Sequence, residues 1–288
     1  MVADFLADLN GLAEIQHFCL MFEDYELVLF DEPPINLKGY TEPPRKAWYI
    51  KPKGMAKRMD EVIFSKPELL FSLINLGREI EEKDPLQDEL TLSGEIIDWC
   101  KKFGLPYGEK YFEENYCDEK PVKVKNAVTG YTGFRLWEFK REVGVLYGLF
   151  NLWYGLTYND LEKVINYSPL ASKFDSQKDL KEQILQMKDH LARRVWSEME
   201  ISHVSLALQY DQQSDKYVIT PSTGNLLGAA YFQFALLMTK SGGGSGIKFC
   251  SKCGKLFEVD HGNKKLCLKC NQDYHMNYMR ERRRKGKS

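Results

Sequence analysis

Apolar positions recur with helical spacing through most of the first 240 residues. Segments with this spacing predict helices over 2–22, 66–83, 86–106, 134–156, 175–200 and 224–240. The helix over 86–106 should end at Gly104, since glycine commonly ends a helix and Pro106 follows it. The helix over 134–156 is apolar and rich in aromatic residues, so we expect it at the centre of the core.

The helical period is interrupted at two places. The segment "YELVLF" at 25–30 predicts a strand, and 31–60, rich in Pro, Gly and Lys, predicts a loop with one strand at 47–52. Two short apolar runs within 203–222 flank "DQQSD" and predict a β-hairpin. The expected fold class is therefore α+β, with a mostly helical body, a small hairpin and a β-containing part inside 1–60.

A flexible linker is predicted by the composition of "SGGGSG" at 241–246, whether it is native or engineered. It separates a body, 1–240, from a small C-terminal domain, 247–288. The N-terminus carries Asp4 and Asp8 where a signal peptide needs positive charge, and no apolar run approaches the ~18 residues of a membrane span. We therefore expect a cytoplasmic protein with no membrane contact.

Charge is distributed unevenly along a chain whose net charge is only −1. Residues 247–288 contain twelve Lys and Arg against four Asp and Glu, a net +8, which leaves −9 for the rest. A basic tail on an acidic body suggests a surface for nucleic acid or an acidic partner at one end.

Four of the seven cysteines lie in two Cys-x-x-Cys pairs, "FCSKCGKLF" and "LCLKC", with thirteen residues between them. Gly254 follows the first pair and permits a tight turn, while the second pair opens a predicted helix. Four thiolates satisfy tetrahedral Zn²⁺ and leave no position open for water. The spacing predicts a structural zinc finger of treble-clef or zinc-ribbon type, in which Zn²⁺ is bound by Cys250, Cys253, Cys267 and Cys270.

A helix over 268–285 would carry most of the basic residues in its last turns. Basic residues beside aromatic ones on a rigid helix suit contact with phosphates and bases of DNA or RNA. The candidate nucleic-acid-binding residues are Lys264, Lys265, Tyr274, Tyr278, Arg280, Arg282, Arg283, Arg284 and Lys285. The alternatives are a solvated basic helix and one docked on an acidic protein surface.

This order of parts resembles the CGNR zinc-finger proteins, over residues 66–288 and most specifically in the finger. The resemblance implies a helical amino-terminal domain, a DNA-binding zinc finger and a role as a bacterial transcription regulator. It also implies that Arg280, Arg282 and Arg283 face nucleic acid. A subunit of a nucleoprotein complex is a second role that a nucleic-acid-binding finger on a helical body fits. After Cys270 the chain reads "NQDY" where the family has Gly-Asn-Arg.

Two other functions fit the sequence. The first is a protein–protein adaptor, for example in a bacterial defence or mobile-element assembly, in which the basic helix docks on an acidic protein surface. The helical body is a further candidate site of partner contact or self-association. The second is a nuclease that uses His190 or His203 with Arg193 and Arg194. No Walker-type glycine loop and no Gly-x-Ser-x-Gly motif occurs, so an enzyme is the less favoured expectation.

Overall fold

The computed structural model describes most of the chain in separate ranges. They are 19–32, 36–37, 40–41, 45–59, 68–83, 90–107, 133–169, 180–211, 216–223, 225–239, 246–259 and 263–285. The chain divides into two compact units, Met1–Leu236 and Leu237–Ser288. The predicted linker lies almost entirely outside the described residues.

Both units contain helices and antiparallel strands. The helices are α1 (Glu68–Glu82), α2 (Ser93–Phe103), α3 (Leu136–Tyr158), α4 (Leu161–Tyr167), α5 (Leu180–Ile201), α6 (Leu226–Thr239) and α7 (Leu268–Lys285). The strands are β1 (Cys19–Glu32), β2 (Asn36–Leu37), β3 (Tyr40–Thr41), β4 (Arg45–Met59), β5 (Phe134–Arg135), β6 (Ser205–Asp211), β7 (Lys216–Ser222), β8 (Ile247–Phe249) and β9 (Leu256–Glu258). The expected α+β class is confirmed.

A long hairpin of β1 and β4 forms, with β5, a three-stranded antiparallel sheet in the order β1-β4-β5. Opposite charges face each other across β1 and β4, which favours this register over a shifted one. The pairs are Asp24 with Lys53, Glu26 with Lys51, Asp31 with Lys46 and Glu32 with Arg45. The body therefore contains more sheet than the small hairpin that we predicted.

Two expectations at the N-terminal end are wrong. Residues 45–59 form one continuous strand where the sequence predicts mostly loop, because four of its basic positions lie opposite acidic residues of β1, which the local pattern does not reveal. The predicted helix over 2–22 does not extend to residue 22, because Cys19 to Phe22 are part of β1 and pair with β4. The remainder of that helix lies outside the described residues.

The middle helices follow the predictions with shifts at their ends. Helix α2 begins at Ser93 rather than near 86, because Leu90 to Leu92 form a turn in which Leu92 has a φ of 68°. Phe134 and Arg135 are β5 rather than the first residues of α3. The predicted hairpin is confirmed as β6 and β7. Among the described residues, no helix combines the length and the apolar character needed to cross a membrane.

Helix α3 supplies much of the buried core of the first unit, as predicted. Phe139 and Phe150 are fully buried, and the Phe150 ring lies 5.6 Å from that of Phe234 on α6. Helix α6 also supports α1, because the Gln233 side-chain oxygen accepts a 3.0 Å hydrogen bond from the backbone N–H of Leu70. That N–H lies in the first turn of α1, where no helical acceptor is available.

Candidate metal centre

The first cysteine pair lies in the turn between β8 and β9. The two strands pair in antiparallel fashion, with Phe249 opposite Leu256. The Gly254 N–H donates to the Cys250 carbonyl at 2.8 Å, and the Cys250 N–H donates to the Lys255 carbonyl at 2.8 Å. Gly254 has a φ of 67°, in the left-handed region that glycine adopts without steric penalty. These constraints fix a tight knuckle.

The second cysteine pair lies at the start of α7. The Ser251 N–H and hydroxyl both donate to the Lys265 carbonyl, at 3.0 and 3.2 Å, and so attach the knuckle to the segment before the helix. The Cys267 N–H donates to the Cys250 sulfur at 3.4 Å. Cys267 precedes α7 directly and Cys270 lies in its first turn, so the backbone positions both pairs against each other.

The four sulfur atoms form one cluster. All four lie within 4.8 Å of one another, and the Sγ atoms of Cys253 and Cys267 are 3.7 Å apart. A tetrahedral zinc with bonds of about 2.3 Å would separate its sulfurs by about 3.8 Å. A disulfide would need about 2.05 Å, so the cysteines are free thiols at a spacing that suits a shared metal ion.

The thiols of the cluster differ in acidity. Burial raises the pKa of Cys250, but the backbone N–H groups of Cys267, Cys253 and Lys252 lower it, and the resulting pKa is about 6. Burial and then contact with the neighbouring thiols raise the pKa of Cys270 to about 12. Four thiolates at this distance repel one another, so full deprotonation at neutral pH requires a cation between them. The donor set therefore fits a metal ion.

The predicted nucleic-acid-binding residues occupy two places in the second unit. Lys264 and Lys265 precede the second cysteine pair, with Lys264 half-buried and Lys265 exposed. Tyr274, Tyr278, Arg280 and Arg282 lie on α7 with exposed side chains. Arg280 lies ten residues beyond Cys270, which is about 15 Å along a helix axis. For the remaining candidates, the structure describes the backbone alone: Arg283, Arg284 and Lys285.

The two histidines proposed for a nuclease lie in different places, and of the two only His190 is within one helical turn of Arg193 and Arg194. His190 lies on α5, whereas His203 lies beyond its end, about 20 Å away along the helix direction. Both arginines form ion pairs within α5: Arg193 Nε lies 2.9 Å from Asp189 Oδ2, and Arg194 Nη2 lies 2.5 Å from Glu198 Oε1. Each arginine thus has a carboxylate partner on the same helix.

A buried polar group in the first unit was not predicted from the sequence. Glu198 is 4% exposed, and burial raises its pKa, which the nearby Arg194 partly opposes. Tyr231 on α6 is 1% exposed, and its hydroxyl has no hydrogen-bond partner in the described part of the chain. The sequence does contain a signal for the burial of Glu198, because this residue continues the apolar stripe of Leu191 and Val195 at helical spacing.

Fold and site together define an α+β protein with a four-cysteine cluster able to bind a metal ion. Comparisons with protein-family models, with curated proteins and with solved structures found no match to this chain. The resemblance to CGNR zinc-finger proteins thus stays a prediction from the sequence.

Proposed function

We propose that the chain is a zinc-dependent nucleic-acid-binding protein in which the cysteine cluster holds Zn²⁺ and α7 contacts the nucleic acid. The observation that carries this proposal is the position of α7. Its first turn holds Cys270, a buried member of the cluster, and its last turns carry the densest basic run in the chain. A metal that fixes the cluster therefore also fixes the helix.

Zinc is the metal that these ligands favour. Four cysteine sulfurs are soft donors, and a closed set of four at tetrahedral spacing is typical of a structural zinc site. The backbone N–H groups that donate to the Cys250 sulfur stabilise its thiolate, as hydrogen bonds to the ligands of a metal site commonly do. An iron–sulfur cluster also takes four cysteines and is distinguished by its colour and its iron content.

Electrostatic attraction to phosphates is the expected source of affinity. Within the last six residues of α7, from 280 to 285, five are Arg or Lys. Arg280 and Arg282 are exposed, and cations at the C-terminal end of a helix also interact favourably with its dipole. Binding by such a run should weaken steeply with salt, because each phosphate contact releases a counterion.

The wider role that we propose is that of a transcription regulator or a subunit of a nucleoprotein complex. It follows from the resemblance to CGNR zinc-finger proteins and from the separation of charge along the chain, +8 in 247–288 against −9 elsewhere. An acidic body is a poor nucleic-acid surface, so it would serve partner contact, self-association or ligand sensing.

The test is the salt dependence of nucleic-acid binding by the full-length protein, measured by fluorescence anisotropy. The variant Arg280→Gln/Arg282→Gln should lower the slope of log K against log salt by about one for each lost phosphate contact. A control with the same loss of charge, Lys188→Gln/Arg193→Gln on α5, should leave the slope unchanged. Wild-type protein that shows no salt-sensitive binding to DNA or RNA would overturn the proposal and favour the adaptor.

A further inference from the structure

The exposure of α7 beyond the cysteine cluster is unusual for a helix with large apolar residues. All seven side chains from Tyr274 to Arg280 are exposed, which covers every direction around two turns. Among the side chains of α7 that the structure describes, those that are covered lie at its beginning, where Cys270 is buried and Asn271 and Asp273 are half-buried. These two turns are therefore available for contact on all sides.

The exposed turns are rich in residues that proteins usually cover. Tyr274 is 59% exposed, Tyr278 53%, Met276 52% and Met279 48%. They lie on two faces of the helix: Tyr274 and Tyr278, four residues apart, on one, and Met276 and Met279, three apart, on the other. Exposed apolar and aromatic side chains in this number mark an interaction surface. We call these four residues, Tyr274, Met276, Tyr278 and Met279, the apolar surface of α7. Phosphate contact by the arginines alone would leave this surface in water.

We infer that the apolar surface of α7 binds unpaired bases, so that the preferred ligand is single-stranded nucleic acid rather than a duplex. This inference rests on the proposed function. Aromatic side chains stack on bases of any sequence, but only where the base faces are free. In an undistorted duplex the faces are covered by neighbouring base pairs, and a protein reaches the base edges and the backbone.

The spacing of the two tyrosines supports base stacking. Tyr274 and Tyr278 are four residues apart on one side of the helix, separated by about 6 Å along the axis. Arg280 follows within one turn, and an open depression of about 330 Å³ lies beside it and beside His275, Met276 and Met279. The two tyrosine rings thus lie on one face of α7, the thioethers and the Arg280 guanidinium lie on another, and the basic run follows directly beyond both.

The competing geometry is a helix in the major groove of a duplex, which is wide enough to admit one. There Arg280 and Arg282 would contact the backbone or guanine edges, and the tyrosine rings would have no base face to stack on. The tyrosine rings therefore contribute to affinity if α7 binds a single strand and contribute little if it binds a duplex. Removing the rings distinguishes the two geometries.

The test measures the affinity of the full-length protein for a labelled single strand of about 16 nucleotides and for its duplex, at one salt concentration. The main variant is Tyr274→Ala/Tyr278→Ala, and Tyr274→Phe/Tyr278→Phe keeps both rings. The matched control is Trp196→Ala, since Trp196 is 61% exposed on α5. Zinc content and the circular dichroism spectrum of each variant establish that the fold is intact.

We expect the alanine variant to lose at least about tenfold in affinity for the single strand and less than about twofold for the duplex. The phenylalanine variant and Trp196→Ala should bind like the wild type. Equal losses on both ligands, or none on the single strand, would overturn this inference and leave nucleic-acid binding in place. A wild type that binds neither ligand would overturn the proposed function as well.

Discussion

At the scale of single residues, the knuckle depends on the backbone conformation of Gly254. Its φ of 67° lies where a side chain carries a steric penalty of roughly 1–2 kcal/mol. Its N–H donates to the Cys250 carbonyl, so the conformation and the placement of the first cysteine pair are linked. Because metal binding and folding are coupled at such a site, strain in the knuckle should appear as weaker zinc binding.

We predict that Gly254→Ala lowers zinc affinity by about 5- to 30-fold, as measured by competition with a chromogenic chelator. Gly254→Asn should lose less, because asparagine tolerates the left-handed region better. The control is Gly246→Ala, whose added Cβ would lie 3.7 Å from the Val259 carbonyl oxygen, an ordinary contact. Equal affinities for Gly254→Ala and Gly246→Ala would show that the knuckle does not need glycine.

A second prediction at this scale concerns the buried carboxyl of Glu198. Burial raises its pKa above the ordinary 4.5, so the folded state holds this proton more tightly than the unfolded chain does. The contribution of Glu198 to stability is therefore full below pH 4.5 and is lost as the pH rises through the raised value. Glu198→Gln should thus gain stability relative to wild type as the pH rises from 4.5.

Urea unfolding at several pH values, followed by tryptophan fluorescence, measures this difference. All five tryptophans precede residue 236, so the signal reports on the first unit alone. Glu200→Gln, an exposed glutamate on the same helix, is the control and should follow the wild-type pH dependence. If Glu198→Gln shows the same pH dependence of unfolding free energy as the wild type, titration of Glu198 does not contribute to that dependence.

At the scale of elements, α1 and α3 approach closely at Gly77. A Cβ built there would lie 2.5 Å from the Tyr147 Cβ and 3.2 Å from the Val143 carbonyl oxygen. Neither atom moves easily, since one belongs to a buried side chain on α3 and the other to its backbone. Glycine at this position is required for the packing distance, despite its unfavourable entropy within a helix.

We predict opposite effects for two glycine-to-alanine changes on these helices. Gly77→Ala should destabilise the first unit by about 1–3 kcal/mol, because the helices must separate. Gly144→Ala should stabilise it by about 0.5–1 kcal/mol, since in the described part of the chain no atom beyond the helix's own backbone and the chain neighbours lies within 4 Å of the added Cβ. The same fluorescence-detected urea titration compares them, and a stable Gly77→Ala would contradict the close packing of α1 against α3.

Elements with a strong local pattern were predictable, whereas those that depend on distant partners were not. The apolar stripes of α1 and α3 and the cysteine spacing at the start of α7 contain their own signal, so the sequence located all three. Strand β4 was predictable only over 47–52, because Lys46, Lys51 and Lys53 favour a strand through the acidic residues opposite them on β1, which the local pattern does not contain. The burial of Glu198 likewise depends on packing between helices, although its place in the apolar stripe was visible.

At the scale of the whole molecule, the chain combines an acidic unit with a core and a small basic unit with little core. Helix α3 and its neighbours bury aromatic side chains in the first unit, which is long enough to form a core of its own. The second unit has short strands and a helix that is exposed over two turns, so a metal at the cysteine cluster would supply much of its stability.

The central claim is that a metal-bound cysteine cluster positions α7 for nucleic-acid binding. The most direct measurement is the affinity of the full-length protein for a labelled single strand before zinc chelation, after it, and after zinc is restored. We expect binding to be lost on chelation and recovered with zinc, while the tryptophan fluorescence of the first unit does not change. Binding that persists in protein shown to be free of metal would contradict the claim.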